Sequence, residues 1–130
     1  MWKSWQDRRQ AFTLVEIMII VALIGLLAAL AIPTYITVRK QGQGKRIIND
    51  ARIIDAAIDS WAFEKGMRDG DAIDGTNLTD LAQYTKKGAI DTVDVLGNVY
   101  TIGPVGATQV VISPLTKAAL TGVTLDWATY

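Results

Sequence analysis

The side chain with the most pointed chemistry in this sequence is Glu16. It is the only charged residue between Arg9 and Arg39. Directly after it, IMIIVALIGLLAALAI (17–32) carries no polar side chain. A carboxylate in such a run costs about 2.5–3.5 kcal/mol to place in hydrocarbon, so it is kept where it finds a partner. Other reactive groups are few. The chain has neither histidine nor cysteine, which excludes imidazole catalysis, thiol chemistry, disulfides and most zinc sites. Asp55 and Asp59 share a helix face, but they sit on a charged surface beside Arg52 and form no acid–base pair. With no nucleotide loop either, no enzymatic activity and no cofactor are expected. The run Asp69-Gly70-Asp71-Ala72-Ile73-Asp74-Gly75 faintly resembles a calcium loop. Ile73 stands where an oxygen ligand belongs and Asp74 where the glycine belongs, so it reads as a solvated loop with no metal.

Charge is unevenly placed. Net charge is zero, yet Lys3, Arg8 and Arg9 outweigh Asp7 ahead of the apolar run, leaving the remainder mildly acidic. That acidity gives no case for nucleic acid. A basic flank before an apolar stretch is a membrane-targeting pattern. As a helix, Phe12–Ile32 would reach about 31 Å at roughly 1.5 Å per residue, close to a bilayer core.

Beyond the apolar run the sequence reads as one small domain. Ile47, Ala51, Ile54, Ile58 and Trp61 step by four and three, one face of a helix. Asp50, Arg52, Asp55, Asp59 and Glu64 take the other faces. One long helix is expected over about 12–65, weakened at 41–45 by Gly42 and Gly44. Residues 66–76 form a polar loop. Asn77 or Thr79 is expected to cap a short helix over 78–86, with Leu78, Leu81 and Tyr84 inward and Gly88 ending it. Region 93–113 reads as a three-stranded antiparallel sheet, with turns at Leu96-Gly97-Asn98 and Gly103–Gly106. Residues 114–130 form a tail packed through Trp127 and Tyr130. The fold class is α+β: a long N-terminal helix packed on a small antiparallel sheet.

General features leave two fates for the N-terminal segment. It could be a signal anchor with Glu16 at headgroup level. It could be a secretory signal cut after Ala29-Leu30-Ala31, releasing a protein that begins at Ile32. A binding module tethered to the membrane remains an alternative, and a third reading of the segment comes from resemblance. The ordered stretch Arg8-Arg9-Gln10-Ala11-Phe12-Thr13-Leu14-Val15-Glu16 closely resembles the leader and junction of type IV pilins and type II secretion pseudopilins. That family has a short basic leader, a small residue, then Phe-Thr-Leu-x-Glu opening a long apolar helix. Here Ala11 stands where glycine is usual. Gly97-Asn98-Val99-Tyr100 also looks like the hairpin of major pseudopilins.

The resemblance implies a definite organisation. Residues 1–11 would be a leader removed by a prepilin peptidase between Ala11 and Phe12, with N-methylation of Phe12. Residues 12–33 would be the transmembrane and assembly helix, with a kink at Pro33, and 34–130 the outer domain. Glu16 would pair with the Phe12 amine of a neighbouring copy. Partners would be further copies, related pilins, the peptidase, inner-membrane assembly machinery and the lipid bilayer. Localisation would be the bacterial inner membrane, single-pass with a cytoplasmic N-terminus, then a periplasmic or surface filament. The disulfide that often closes the family's C-terminal loop has no counterpart here.

Overall fold

A computed structural model describes residues 12–130. The leader 1–11, and with it Ala11, lies outside the described residues. The elements are α1 (Leu14–Lys65), α2 (Gly75–Leu81), a 3-10 turn (Ala82–Tyr84), β1 (Thr101–Ile102), β2 (Val110–Val111) and α3 (Pro114–Ala119). The chain divides into two units, one ending at Ile36 and one running from Thr37 to Tyr130.

Helix α1 is 52 residues long and contains Pro33. It stops at a motif built on Gly66. The Met67 amide donates to Ala62 O at 2.9 Å and the Gly66 amide to Phe63 O at 3.4 Å. Gly66 has φ +68°, the left-handed conformation that this double bond requires and that glycine adopts without a Cβ clash. The weakening expected at 41–45 does not interrupt the helix. Gly44 is buried there, and the packing it permits holds the segment in place.

In the unit 37–130, the face of α1 predicted from spacing is the buried one. Ile47, Ala51, Ile54, Ile58 and Trp61 are all in the core, and Ile48, Ala57 and Ala62 widen the stripe. Leu81, Tyr100, Val105, Val110, Ile112 and Leu120 complete the cluster. Each large aliphatic side chain buried this way contributes about 1.5–3 kcal/mol before entropy is subtracted. Tyr100 lies across the core, and its hydroxyl donates to Ile47 O at 3.3 Å. Burial first, then Asp50, Asp94 and Asp91, push its phenol far above the ordinary range.

Three local expectations are corrected. The cap of α2 is Asp74, not Asn77 or Thr79: its Oδ1 accepts the amides of Thr76 and Asn77, both at 3.0 Å. An ionised carboxylate at a helix start satisfies orphan N–H groups and meets the positive end of the dipole. Helix α2 therefore begins earlier, at Gly75. The sheet has two strands, paired Thr101–Val111 and Ile102–Val110. What should have been a third strand is a single bridge, Val93–Val99. Asp94 is the reason: its Oδ1 accepts the Leu96 and Asn98 amides at 2.8 and 3.0 Å, so the backbone curls into a loop there. Last, 114–130 is more than a tail. Ser113 Oγ accepts the Leu115 amide at 3.3 Å and starts α3, with Pro114 in the first turn, as both residue types favour. After α3, Leu125, Trp127 and Tyr130 lie against the core. The Lys117 ammonium donates to the Tyr130 carbonyl.

Candidate functional site

The residues singled out by chemistry cluster at the start of α1. Thr13 precedes the helix, and its Oγ1 accepts the Glu16 amide at 3.2 Å. The Ile17 amide donates to Thr13 O at 3.3 Å. Thr13-Leu14-Val15-Glu16 is a capping-box pattern ahead of an apolar run. Thr13 is thus a working residue that the spacing argument passed over, although Thr-x-x-Glu is the signal for it. Its cap fixes where the helix begins and places Glu16 in the first turn.

That position has an electrostatic consequence. The first turn carries the exposed N–H groups and the positive end of the helix dipole, which favours a carboxylate. Among the described residues the Glu16 side chain has no hydrogen-bond or ion-pair partner, and the residue is exposed. Around it Phe12, Leu14, Val15, Ile17, Met18, Ile19 and Ile20 are exposed as well. The helix is long and apolar enough to cross a membrane, and among the described residues none of its most apolar window is buried. Phe12, Thr13, Leu14, Ile17, Met18, Val21 and Ala22 frame an open apolar concavity. Gly25 has no neighbour within 4 Å of where a Cβ would stand. Such a surface is satisfied by lipid or by other helices, and small residues let backbones approach closely.

The remaining candidates fall elsewhere. Two of the three aspartates of the 66–74 loop accept backbone amides: Asp71 Oδ2 from Arg68 at 2.7 Å, and Asp74 as the cap of α2. The loop is tied down by Gly70 and Val105, whose backbone bonds to Val105 O and Asp71 O are 2.8 and 2.9 Å. Asp55 and Asp59 do meet a third residue, Gln109, whose Nε2 donates to Asp59 Oδ1 at 2.6 Å. Burial, then the nearby Asp59 charge, raise the Asp55 carboxyl above its ordinary value, while Gln109 pulls it down.

A second polar centre was not legible from spacing. Asp94 is buried, and its Oδ2 accepts the Thr116 hydroxyl. The Thr116 oxygen in turn accepts Asn98 Nδ2 at 3.0 Å. This triad joins the 93–99 loop to α3. A lone aspartate in a loop sequence gives no sign that it will be enclosed, because its partners come from a distant segment.

Comparison with known proteins bears directly on the N-terminal site. Residues 6–32 match the family model of the prokaryotic N-terminal methylation motif. The chain is 28% identical to fimbrial protein Q of Moraxella bovis over 102 residues, covering 75% of this chain and 65% of that protein, just under two thirds of its length. It is 33% identical to a fimbrial protein of Pseudomonas aeruginosa over 110 residues, covering 68% and 69%. It is 26% identical to type II secretion system core protein G of Escherichia coli (strain K12) over 107 residues, covering 74% and 72%. No solved structure matches the chain. The methylation motif lies over the capped start of α1, and the similarity to the Pseudomonas protein continues through most of both chains. The chain belongs to the type IV pilin and type II secretion pseudopilin family.

Proposed function

We propose that the chain is a structural subunit of a pilus-like or pseudopilus filament, assembled from the bacterial inner membrane. The observation that carries this is the start of α1: a capped apolar helix whose surface the described residues leave uncovered, with one carboxylate in its first turn that has no partner among them. Before assembly, lipid covers that surface and the chain spans the inner membrane once. In the filament, the same surface packs against helices of other copies. Cleavage between Ala11 and Phe12 by a prepilin peptidase removes the basic leader and creates a cationic amine at Phe12, which is then N-methylated. The peptidase pocket accepts Ala11 because alanine is the next smallest residue after glycine.

The carboxylate gives the packing its register. In low dielectric a single charge is costly and a pair is much less so. Glu16 of one copy meets the Phe12 amine of the next, and a shifted register strands both. Pro33 removes one helical hydrogen bond and supplies a kink or loosened stretch between the assembly segment and the outer domain. The fimbrial and secretion-system names of the relatives support a filament role. A freely soluble protein that has lost the helix would leave the methylation motif without purpose.

The test is intact-mass and N-terminal analysis of protein extracted from membranes and from sheared filaments. The expected product starts at a methylated Phe12. A chain starting at Ile32 would mark an ordinary secreted protein. A chain starting at Met1 would leave only a signal anchor.

A further inference from the structure

Away from the assembly helix, the unit 37–130 carries an apolar knob and an apolar hole of opposite electrostatic character. The knob is Phe63. It is 91% exposed, the most exposed large apolar side chain among the described residues. Asp59 and Glu64 stand beside it with Ser60 and Tyr84. Lys65 follows at the helix end and offsets part of this charge. The Tyr84 hydroxyl donates to Glu64 Oε2 at 2.7 Å and holds that carboxylate at the knob.

The hole is a cleft of about 190 Å³ between α1 and the 85–91 connector. Ile53, Ile54, Ala89 and Ile90 line it with apolar groups. Its rim holds Arg46, Lys86 and Lys87 against Asp50 and Asp91. Both acids are already engaged, Asp50 by Arg46 at 3.8 Å and Asp91 by Lys87 at 2.5 Å. Among the described residues lining the cleft, Lys86 is the charge without an ion-pair partner, so the rim is basic where the knob is acidic. An apolar cavity of about 150 Å³ is enough to take up benzene, so the space suits one phenyl ring.

We propose that Phe63 of one copy seats in the Ile53–Ile90 cleft of another, with Asp59 and Glu64 facing Lys86 across the rim. This rests on the filament reading above. It adds a contact between outer domains to the packing of the apolar helices. The fit follows from size and charge together. An exposed ring flanked by carboxylates is disfavoured in an acidic or wide surface, and it is favoured in a narrow apolar slot edged by an ammonium. Knob and hole are different patches of one chain. Their contact is therefore heterologous and propagates from copy to copy, which yields an open helical array and not a closed dimer. Ile53 and Phe63 are ten residues apart, about 15 Å along α1 at roughly 1.5 Å per residue. Parallel copies offset by about that distance bring knob and hole level. The Phe12–Glu16 pair implies a smaller offset, about 6 Å on the same basis. In a helical array the two contacts link different neighbours.

The absence of cysteine from the chain makes the test clean. Ser60→Cys beside the knob and Asp91→Cys at the hole are introduced together in the full chain. Within one copy a bridge between these two positions would leave a monomer, so only contact between copies gives higher species. Mild oxidation of sheared filaments is expected to give a ladder of dimers, trimers and longer species, while each single variant gives none. Phe63→Ser provides a second measure, because an exposed ring can be removed without opening the core. It is expected to lower filament yield about tenfold at unchanged membrane level, the effect of about 1.4 kcal/mol per contact. Filaments without a ladder, or full yield from Phe63→Ser, overturn this inference and leave the filament function standing. No filaments from the unaltered chain overturn both.

Discussion

Leu125 fills the space that a side chain at position 44 would need. A Cβ built on Gly44 would stand 2.2 Å from Leu125 Cδ1 and 2.9 Å from Cδ2. Glycine in a helix interior ordinarily costs about 1 kcal/mol against alanine. Here its absence of a side chain lets the C-terminal segment dock on α1, with Lys40 Nζ reaching Thr121 O at 3.4 Å nearby. Gly44→Ala therefore sets about 1–3 kcal/mol of overpacking against about 1 kcal/mol of regained helix propensity, and is expected to destabilise the outer domain by a net loss of up to about 2 kcal/mol. Gly42, with nothing within 4 Å of its Cβ direction, is the control: Gly42→Ala is expected to stabilise by about 0.5–1 kcal/mol. Urea unfolding of the full chain in detergent measures both. Adding Leu125→Ala to Gly44→Ala should recover part of the loss.

Thr116 is the second site where one atom group decides stability. Its hydroxyl donates to Asp94 and accepts from Asn98, and Asp94 is buried without a cationic partner in these bonds. Thr116→Val keeps the volume and removes both bonds. The loss is expected to be about 1–3 kcal/mol, because a buried carboxylate then lacks one donor. The same unfolding curve reads it. Ser113→Ala, which removes the α3 cap, is expected to cost about 1 kcal/mol.

These two sites mark what the sequence could and could not disclose. The long helix, its buried face and the loop after it follow from periodicity and from Gly66, because those signals are local. The N-terminal site follows from an ordered motif joined to a membrane-length run. Thr13 and Ser113 were open to the same reasoning, since Thr-x-x-Glu and Ser-Pro announce helix starts. Asp94 and the Gly44–Leu125 contact were not open to it. Each depends on residues far apart in the chain, and alternating valines at 93, 95 and 99 give the pattern of a strand whether or not a carboxylate captures the intervening amides. The sheet is smaller than its pattern for that reason.

Glu16→Val is expected to leave membrane insertion intact and reduce sheared filament by more than tenfold. Removing the carboxylate lowers the cost of entering lipid, so insertion cannot be the step that fails. On the proposed pairing, what is lost is the partner of the Phe12 amine on the adjoining copy. Glu16→Gln separates charge from hydrogen bonding. Its amide oxygen can still accept, so its yield is expected to fall between that of the unaltered chain and that of Glu16→Val. Immunoblots of membrane and sheared fractions measure both. Wild-type yield from Glu16→Val would remove the pairing role.

The carboxyl pair on α1 predicts a dependence on pH. Asp55 is raised above its ordinary value of 3.8 chiefly by burial and by Asp59, with Gln109 acting the other way. An acid whose folded-state pKa is raised binds its proton more tightly when folded. The folded state is then favoured while that proton is held, and the benefit is lost as pH rises from about 3.8 through the raised value. Above that window the pair repels at full strength. Asp55→Asn removes the repulsion and keeps the side-chain shape, so it is expected to raise the melting temperature at neutral pH. Near pH 3.5 Asp55 is largely protonated, and the variant's advantage should shrink towards zero. Asp59→Asn should help less, because Asp59 Oδ1 accepts Gln109 Nε2 and its replacement weakens that bond. Melting temperatures of the full chain in detergent, taken from pH 3.5 to 7.5, test the sign. An Asp55→Asn advantage that is constant across that range would show that Asp55 carries no shift and that the pair does not interact.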